Sequence, residues 1–218
     1  MKSLLKILYL IYQTVIAFPV MILMTIFTAV EIGIGTTIGN GHFWGYYPGI
    51  WWGKIILKAF LIPVKVEGRE HLEKNQSYVF VANHQGIFDI FLVYGYIGRN
   101  FKWMMKHQLA KIPFLGYACR KSHQIFVDKR GPKAIKATYD KARETLQGGT
   151  SLTVFPEGSR TFTGHMGEFR KGAFALADEL QLPVVPITIN GSFNVMPRMR
   201  DGHFVTWHPL SLTIHQPI

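Results

Sequence analysis

The 218-residue chain carries 24 Lys+Arg against 13 Asp+Glu, a net charge of +11, with 48% apolar side chains and one cysteine. That length suits one domain with a sizeable core plus appendages, and argues against two full-sized domains. Cys119 alone excludes an intrachain disulfide and a cysteine-based zinc cluster and fits a reducing, cytoplasmic setting, while the charge points to anionic partners: nucleic acid, anionic headgroups or phosphorylated substrates.

Residues 7–30 contain no charged side chain. At helical rise this stretch is about 36 Å long, enough to cross or enter the hydrocarbon of a bilayer. Lys2 and Lys6 precede it as in a signal peptide, but the run is long for one and no small-x-small cleavage site follows. Pro19 lacks a backbone donor, so one kinked span and two shorter helices meeting there are equally compatible with the pattern.

After the Gly-rich "EIGIGTTIGNG", residues 42–64 crowd Phe43, Trp44, Tyr46, Tyr47, Trp51 and Trp52 beside Lys54 and Lys58. Amphipathic rings and lysines suit the headgroup level, which predicts a segment lying at the interface; a buried aromatic helix is the alternative. Residues 1–62 therefore read as anchoring and interfacial helices, and 63–218 as the folded domain.

In that domain "VKVEG", "SYVFVAN", "QIFVD", "SLTVFP" and "VVPITIN" read as short strands. Between them "GPKAIKATYDKARETLQGG" reads as a helix, with Pro132 near its start, Ile135, Tyr139, Ala142 and Leu146 on one face and Gly148-Gly149 at its stop. Strands alternating with helices predict an α/β domain: a largely parallel mixed sheet flanked by helices, with an N-terminal hydrophobic two-helix membrane-anchoring segment.

Ligands of such sheets bind beyond the carboxyl ends of the strands, and two strand ends carry polar groups. In "VANHQGIFDI" His84 follows a strand and Asp89 opens the next helix. A loop histidine can meet a helix-borne aspartate, which would hold the proton on Nδ1 and leave Nε2 as a general base. No serine or cysteine accompanies the pair, so the nucleophile would be a hydroxyl of the substrate. Alone, such a pair is more often a cap or a surface contact.

The second is "FPEGSR", where Pro156 ends a strand, Gly158 lets backbone approach a ligand and Arg160 offers a donor fork suited to phosphate. A plain turn with exposed Glu157 and Arg160 is the alternative. Lys106, Lys111, Lys129, Arg130, Arg170 and Lys171 lie near strand ends, as a solvated face or a phosphate pocket. Against a nucleic-acid module, the arginines sit beside turns and not along a helix or an aromatic sheet face.

Taken in order, these motifs resemble the glycerolipid acyltransferase family, typified by the lysophosphatidic acid acyltransferases, over residues 65–192. "NHQGIFD" is similar to the family's N-H-x-x-x-x-D block, with His84 and Asp89 in its catalytic places. "KHQLAKIPFLG" resembles its lysine-bearing block and implies Lys106 near the substrate phosphate. "QIFVDKR" resembles F-I/V-x-R, with Lys129 where an arginine is common and Arg130 one later. "FPEGSR" is similar to F-P-E-G-S/T-R, implying that Glu157, Gly158, Ser159 and Arg160 bind the acceptor, and "VVPITINGS" implies that Pro186 shapes the acyl or acceptor site.

The resemblance implies acyl transfer from acyl-CoA or acyl carrier protein to lysophosphatidic acid, with no cofactor, no metal and no nucleic-acid partner. It implies a membrane location with a cytoplasmic active site, on a bacterial-type inner membrane, and family members that run beyond "LTIHQPI". Rival readings are another lysolipid or glycerol 3-phosphate as acceptor, and a membrane lipid-binding protein without turnover.

Overall fold

The computed structural model describes residues 2–112, 115–127, 130–200 and 204–218. The apolar front end is helical throughout: α1 (Lys2–Tyr12), a π-helical turn (Gln13–Ala17) and α2 (Phe18–Ile38) follow without interruption. Pro19 sits at the start of α2 and does not break the helix, so one continuous rod forms instead of two helices meeting at the proline. Its missing N–H falls where the ladder has already slipped to the wider π register. Leu4–Ile38 is long and apolar enough to cross a membrane, with mean hydropathy 2.3, and only about a tenth of it is buried.

The aromatic segment divides between the two predicted roles. It forms α3 (Gly41–Trp44) and α4 (Tyr47–Ala59), and α4 packs between α2 and α5 (Phe88–Tyr96). Tyr46 is buried against Phe101, and Trp52 packs edge-on to Phe91 while its Nε1 donates to Thr25 Oγ1. Phe43, Tyr47 and Trp51 remain exposed, with Lys54 Nζ 5.7 Å from the Trp51 ring.

The remainder is a seven-stranded sheet in the order β1-β7-β6-β2-β5-β3-β4. Its strands are β1 (Val64–Glu67), β2 (Val79–Ala82), β3 (Phe101–Lys106), β4 (Ile125–Val127), β5 (Ser151–Val154), β6 (Val184–Asn190) and β7 (Leu210–Ile214). β6, β2, β5, β3 and β4 are parallel; β7 is antiparallel to β6, and β1 runs with β7. The central strands are buried on both faces, which is why β2 and β5 read as unbroken runs without alternation.

Phe80, Ala82, Phe101, Val185 and Ile187 pack with α4 and α5 on one face. Val79, Val81, Leu152 and Val154 pack on the other with Ala142 and Leu146 from the α7 (Pro132–Thr145) side and with Ala173, Leu176 and Ala177 of α8 (Gly172–Leu180). Ile135, expected on the buried face of α7, is exposed. α6 (Leu115–Lys121) joins β3 to β4 and contacts α2, and α9 (Ser192–Val195) follows β6.

The strand pattern missed β3, "FKWMMK", because two lysines break it. Lys102 is nonetheless buried, its Nζ beside Gly45 and Ser122 at the carbonyl ends of α3 and α6. Among the described residues its ammonium has no hydrogen-bond partner, and burial disfavours its charged form.

Candidate active site

The five parallel strands send their carboxyl ends to one edge, so residues after β2, β3, β4, β5 and β6 gather there. β2 ends at Ala82, and Asn83 continues its line by side chain. Buried Asn83 donates from Nδ2 to Ile189 O at 2.9 Å and accepts from Ile189 N at Oδ1 at 2.7 Å. This amide pair pins the residue before His84 to β6, a role the sequence reading did not assign.

His84 then leaves the sheet and Asp89 enters α5 in its first turn, where the helix N-terminus favours a carboxylate. His84 Nδ1 lies 2.7 Å from Asp89 Oδ2, and Gln85 N and Gly86 N donate to the same oxygen at 2.7 and 3.0 Å. Asp89 is fully buried, whereas the His84 side chain keeps 13% of its surface accessible. A carboxylate already accepting two backbone N–H groups requires a donor at its third contact, which assigns the ring proton to Nδ1 and a lone pair to Nε2.

Gly86 makes the turn possible. A Cβ there would stand 2.6 Å from Ser192 O and 3.1 Å from Met196 O, so no side chain fits, and Gly86 bridges Pro197.

The imidazole lies flat on Phe155, with centroids 3.9 Å apart and planes 6° from parallel, and Phe155 leans on Trp103 at 5.1 Å. The sequence marked Phe155 only as strand; its stacking depends on β5 lying beside β2. Contact on one face and Asp89 at one edge fix both the tilt and the rotation of the ring.

The turn after β5 holds the His84 loop from the other side. Glu157 is buried, Oε1 accepting from His84 N at 2.7 Å and Oε2 from Gly167 N at 2.8 Å. Thr161 N donates to His84 O, and Gln85 Nε2 donates to Gly164 O. Both Glu157 oxygens thus serve backbone, where the resemblance implied contact with the acceptor.

Gly158 has φ +74°, and the Arg170 guanidinium carbon lies 3.1 Å from where a Cβ would stand. Ser159 is exposed and Arg160 half-buried on the same turn. Lys106 is exposed at the end of β3, and Arg130 is exposed beyond β4. These cations share the sheet edge with His84; Lys129 lies outside the described residues.

Pro186 sits lower, paired with Val81 inside the β2–β6 ladder with its carbonyl accepting from His215 N, while the edge itself is reached at Asn190. Cys119 lies on α6, and burial pushes its thiol up to about 11, which keeps it from acting as a thiolate nucleophile near neutral pH. Among the described residues, no group of three His, Cys, Asp or Glu side chains is placed to hold a metal ion.

Comparison with known proteins bears on this geometry. The family model described as Acyltransferase matches residues 63–190. The chain is 32% identical over 168 residues to a chloroplastic 1-acyl-sn-glycerol-3-phosphate acyltransferase of Arabidopsis thaliana, covering 77% of this chain and 46% of that one. It is 35% identical over 148 residues to the 1-acyl-sn-glycerol-3-phosphate acyltransferase of Saccharomyces cerevisiae, covering 66% and 48%. The chain thus spans about half the length of these curated relatives. The crystal structure of a 1-acyl-sn-glycerophosphate (LPA) acyltransferase, PlsC, from Thermotoga maritima superposes with TM-score 0.79 at 25% identity, covering all of this chain and 87% of that one.

Proposed function

The chain belongs to the acyltransferase family, and from that premise we propose that it transfers a fatty acyl group from acyl-CoA or acyl carrier protein to the free hydroxyl of lysophosphatidic acid, forming phosphatidic acid. The observation that carries this reading is the His84–Asp89 pair: a fixed tautomer with Nε2 free, at a strand-end edge that also bears Lys106, Arg130 and Arg160.

His84 Nε2 takes the hydroxyl proton as the acceptor oxygen bonds to the thioester carbonyl carbon. Asp89 stabilises the imidazolium that forms. The tetrahedral adduct collapses by breaking the C–S bond, and the imidazolium proton passes to the departing thiolate, leaving ester and free thiol. No residue of the protein is acylated.

Arg160, Lys106 and Arg130 grip the phosphate, as expected of donors that match its oxygens. Gly158 and Ser159 form the turn that lets the acceptor approach, and Pro186 shapes the wall beneath it. Glu157 acts on the acceptor through the backbone of the catalytic loop.

Residues 1–62 form the anchoring unit and 63–218 the acyltransferase domain. The exposed apolar helix and the Phe43, Tyr47 and Trp51 fringe support holding it at a membrane from which a one-chain lysolipid is drawn. Both thioester donors are cytoplasmic, so the active site faces the cytoplasm at a bacterial-type inner membrane; with Lys2 and Lys6 on that same side, the continuous N-terminal helix enters the bilayer from the cytoplasmic face without crossing it.

The test is mass spectrometry of products from the purified chain offered acyl-CoA, acyl carrier protein thioesters and a mixture of lysolipids and glycerol 3-phosphate. Phosphatidic acid is the expected product, and His84→Ala abolishes it while leaving lysophosphatidic acid bound. A different acylated acceptor, or lysolipid bound without turnover by the wild type, refutes the assignment.

A further inference from the structure

Gln13 stands inside the charge-free stretch of the N-terminal helix and is completely buried. Its amide engages the backbone of a residue 192 positions away: Nε2 donates to Val205 O at 2.9 Å, and Oε1 accepts from Val205 N at 2.7 Å. The π turn Gln13–Ala17 begins at this residue, and π turns are locally widened helix that often marks a functional position. Neighbouring contacts hold the seat: Tyr9 Oη donates to Phe60 O, Trp207 Nε1 donates to Leu61 O, and Phe18 packs edge-on to Phe60.

From Val205 a short hydrogen-bonded path leads to the catalytic turn. Thr206 N donates to Val195 O, Met196 N donates to Ser192 O, and Pro197 bridges Gly86. Gly86 is packed too tightly against Ser192 O and Met196 O to shift without them, and its own N–H donates to Asp89 Oδ2.

We propose that Gln13 is a positioning residue for the His84–Asp89 turn: through Val205 and the 192–197 segment, the seat of the membrane-seeking helix sets the backing of the catalytic loop. The inference rests on the acyl-transfer reading given above. An apolar residue at position 13 would seat the helix as well by burial alone. Only a side chain that carries both a donor and an acceptor, an amide or a protonated carboxyl, satisfies both polar groups of Val205, which are otherwise left unpaired in an apolar wall. The coupling thus lies in a specific donor and acceptor and not in general packing.

The full chain in detergent micelles is compared as wild type, Gln13→Leu and Gln13→Glu, by amide hydrogen exchange and by initial rates. In Gln13→Leu, peptides covering 83–92 and 192–207 exchange at least tenfold faster while a control peptide in α7 is unchanged. kcat falls about tenfold, with the KM for the acyl donor within twofold of wild type. Gln13→Glu, at pH 6 and with burial keeping its carboxyl protonated, again offers Val205 one donor and one acceptor and restores both readouts.

Unchanged exchange over 83–92 in Gln13→Leu, a loss confined to KM, or failure of Gln13→Glu to restore overturns the proposal. The exchange data stand apart from chemistry. Faster exchange in a protein whose wild type transfers no acyl group would refute the acyl-transfer reading and leave the mechanical link intact.

Discussion

Glu157 offers a sharp separation between binding the acceptor and holding the base. Its two oxygens accept from His84 N and Gly167 N at 2.7 and 2.8 Å in a buried setting. In Glu157→Gln one oxygen remains, and an NH2 group faces the other backbone N–H. Losing one charge-assisted hydrogen bond costs about 1.5–3 kcal/mol, and setting donor against donor adds to it. If about 2–3 kcal/mol of this is expressed as displacement of His84 in the transition state, kcat falls about 30- to 150-fold. If the phosphate is held by Arg160, Lys106 and Arg130 as proposed, the KM for lysophosphatidic acid changes less than twofold. Steady-state rates with the acceptor varied at saturating donor measure both quantities. A raised KM with kcat intact would show that Glu157 touches the acceptor directly, and the positioning argument would fail.

Other outcomes follow from the same contacts. Asp89→Asn keeps one oxygen for the three donors that converge on Oδ2, with its amide nitrogen where Oδ1 lacks a partner among the described residues, but loses the charge that stabilises the imidazolium, so kcat falls about 10- to 150-fold with little change in donor KM as read by initial rates. Asn83→Ala leaves Ile189 N–H and C=O unpaired in a buried strand and costs about 2–4 kcal/mol, read as a lower urea midpoint at constant slope. Burial pushes Lys102 down to about 8 from 10.5. Between those values the unfolded chain holds a proton that the folded chain has lost, so this group makes stability rise with pH by about 3 kcal/mol. Lys102→Met removes that rise and increases the melting temperature at pH 7; an unaltered pH profile of the melting temperature would contradict it.

Local chemistry made the strand-helix alternation and the long apolar front end legible, because periodicity and the absence of charge are properties of short windows. β2, β5, β6 and α7 could be read that way, as could the His84 and Asp89 positions, since a strand end and a helix start five residues apart bring a loop side chain to a first-turn carboxylate. Pro19 was ambiguous because its missing N–H fits either a kink or a position where the α ladder is already interrupted, and it falls in the first turn of α2, just after the π turn. β3 was illegible because the pattern takes a lysine as solvent-facing, whereas Lys102 is buried beside carbonyl-rich helix ends.

The sequence by itself determined which groups exist for chemistry: a histidine and an aspartate without a companion nucleophile, cations at strand ends, and an apolar segment long enough to enter a bilayer. Only the tertiary structure decided what each group faces. Strand order sets Phe155 flat on His84 and turns both Glu157 oxygens to backbone, and the packing of the N-terminal helix against α4 puts Gln13 against Val205. Apart from the Glu157–Gly167 bond, which spans ten positions, these contacts join residues 71 to 192 positions apart, and no local pattern encodes them, because they depend on which strands and helices become neighbours when the core is buried.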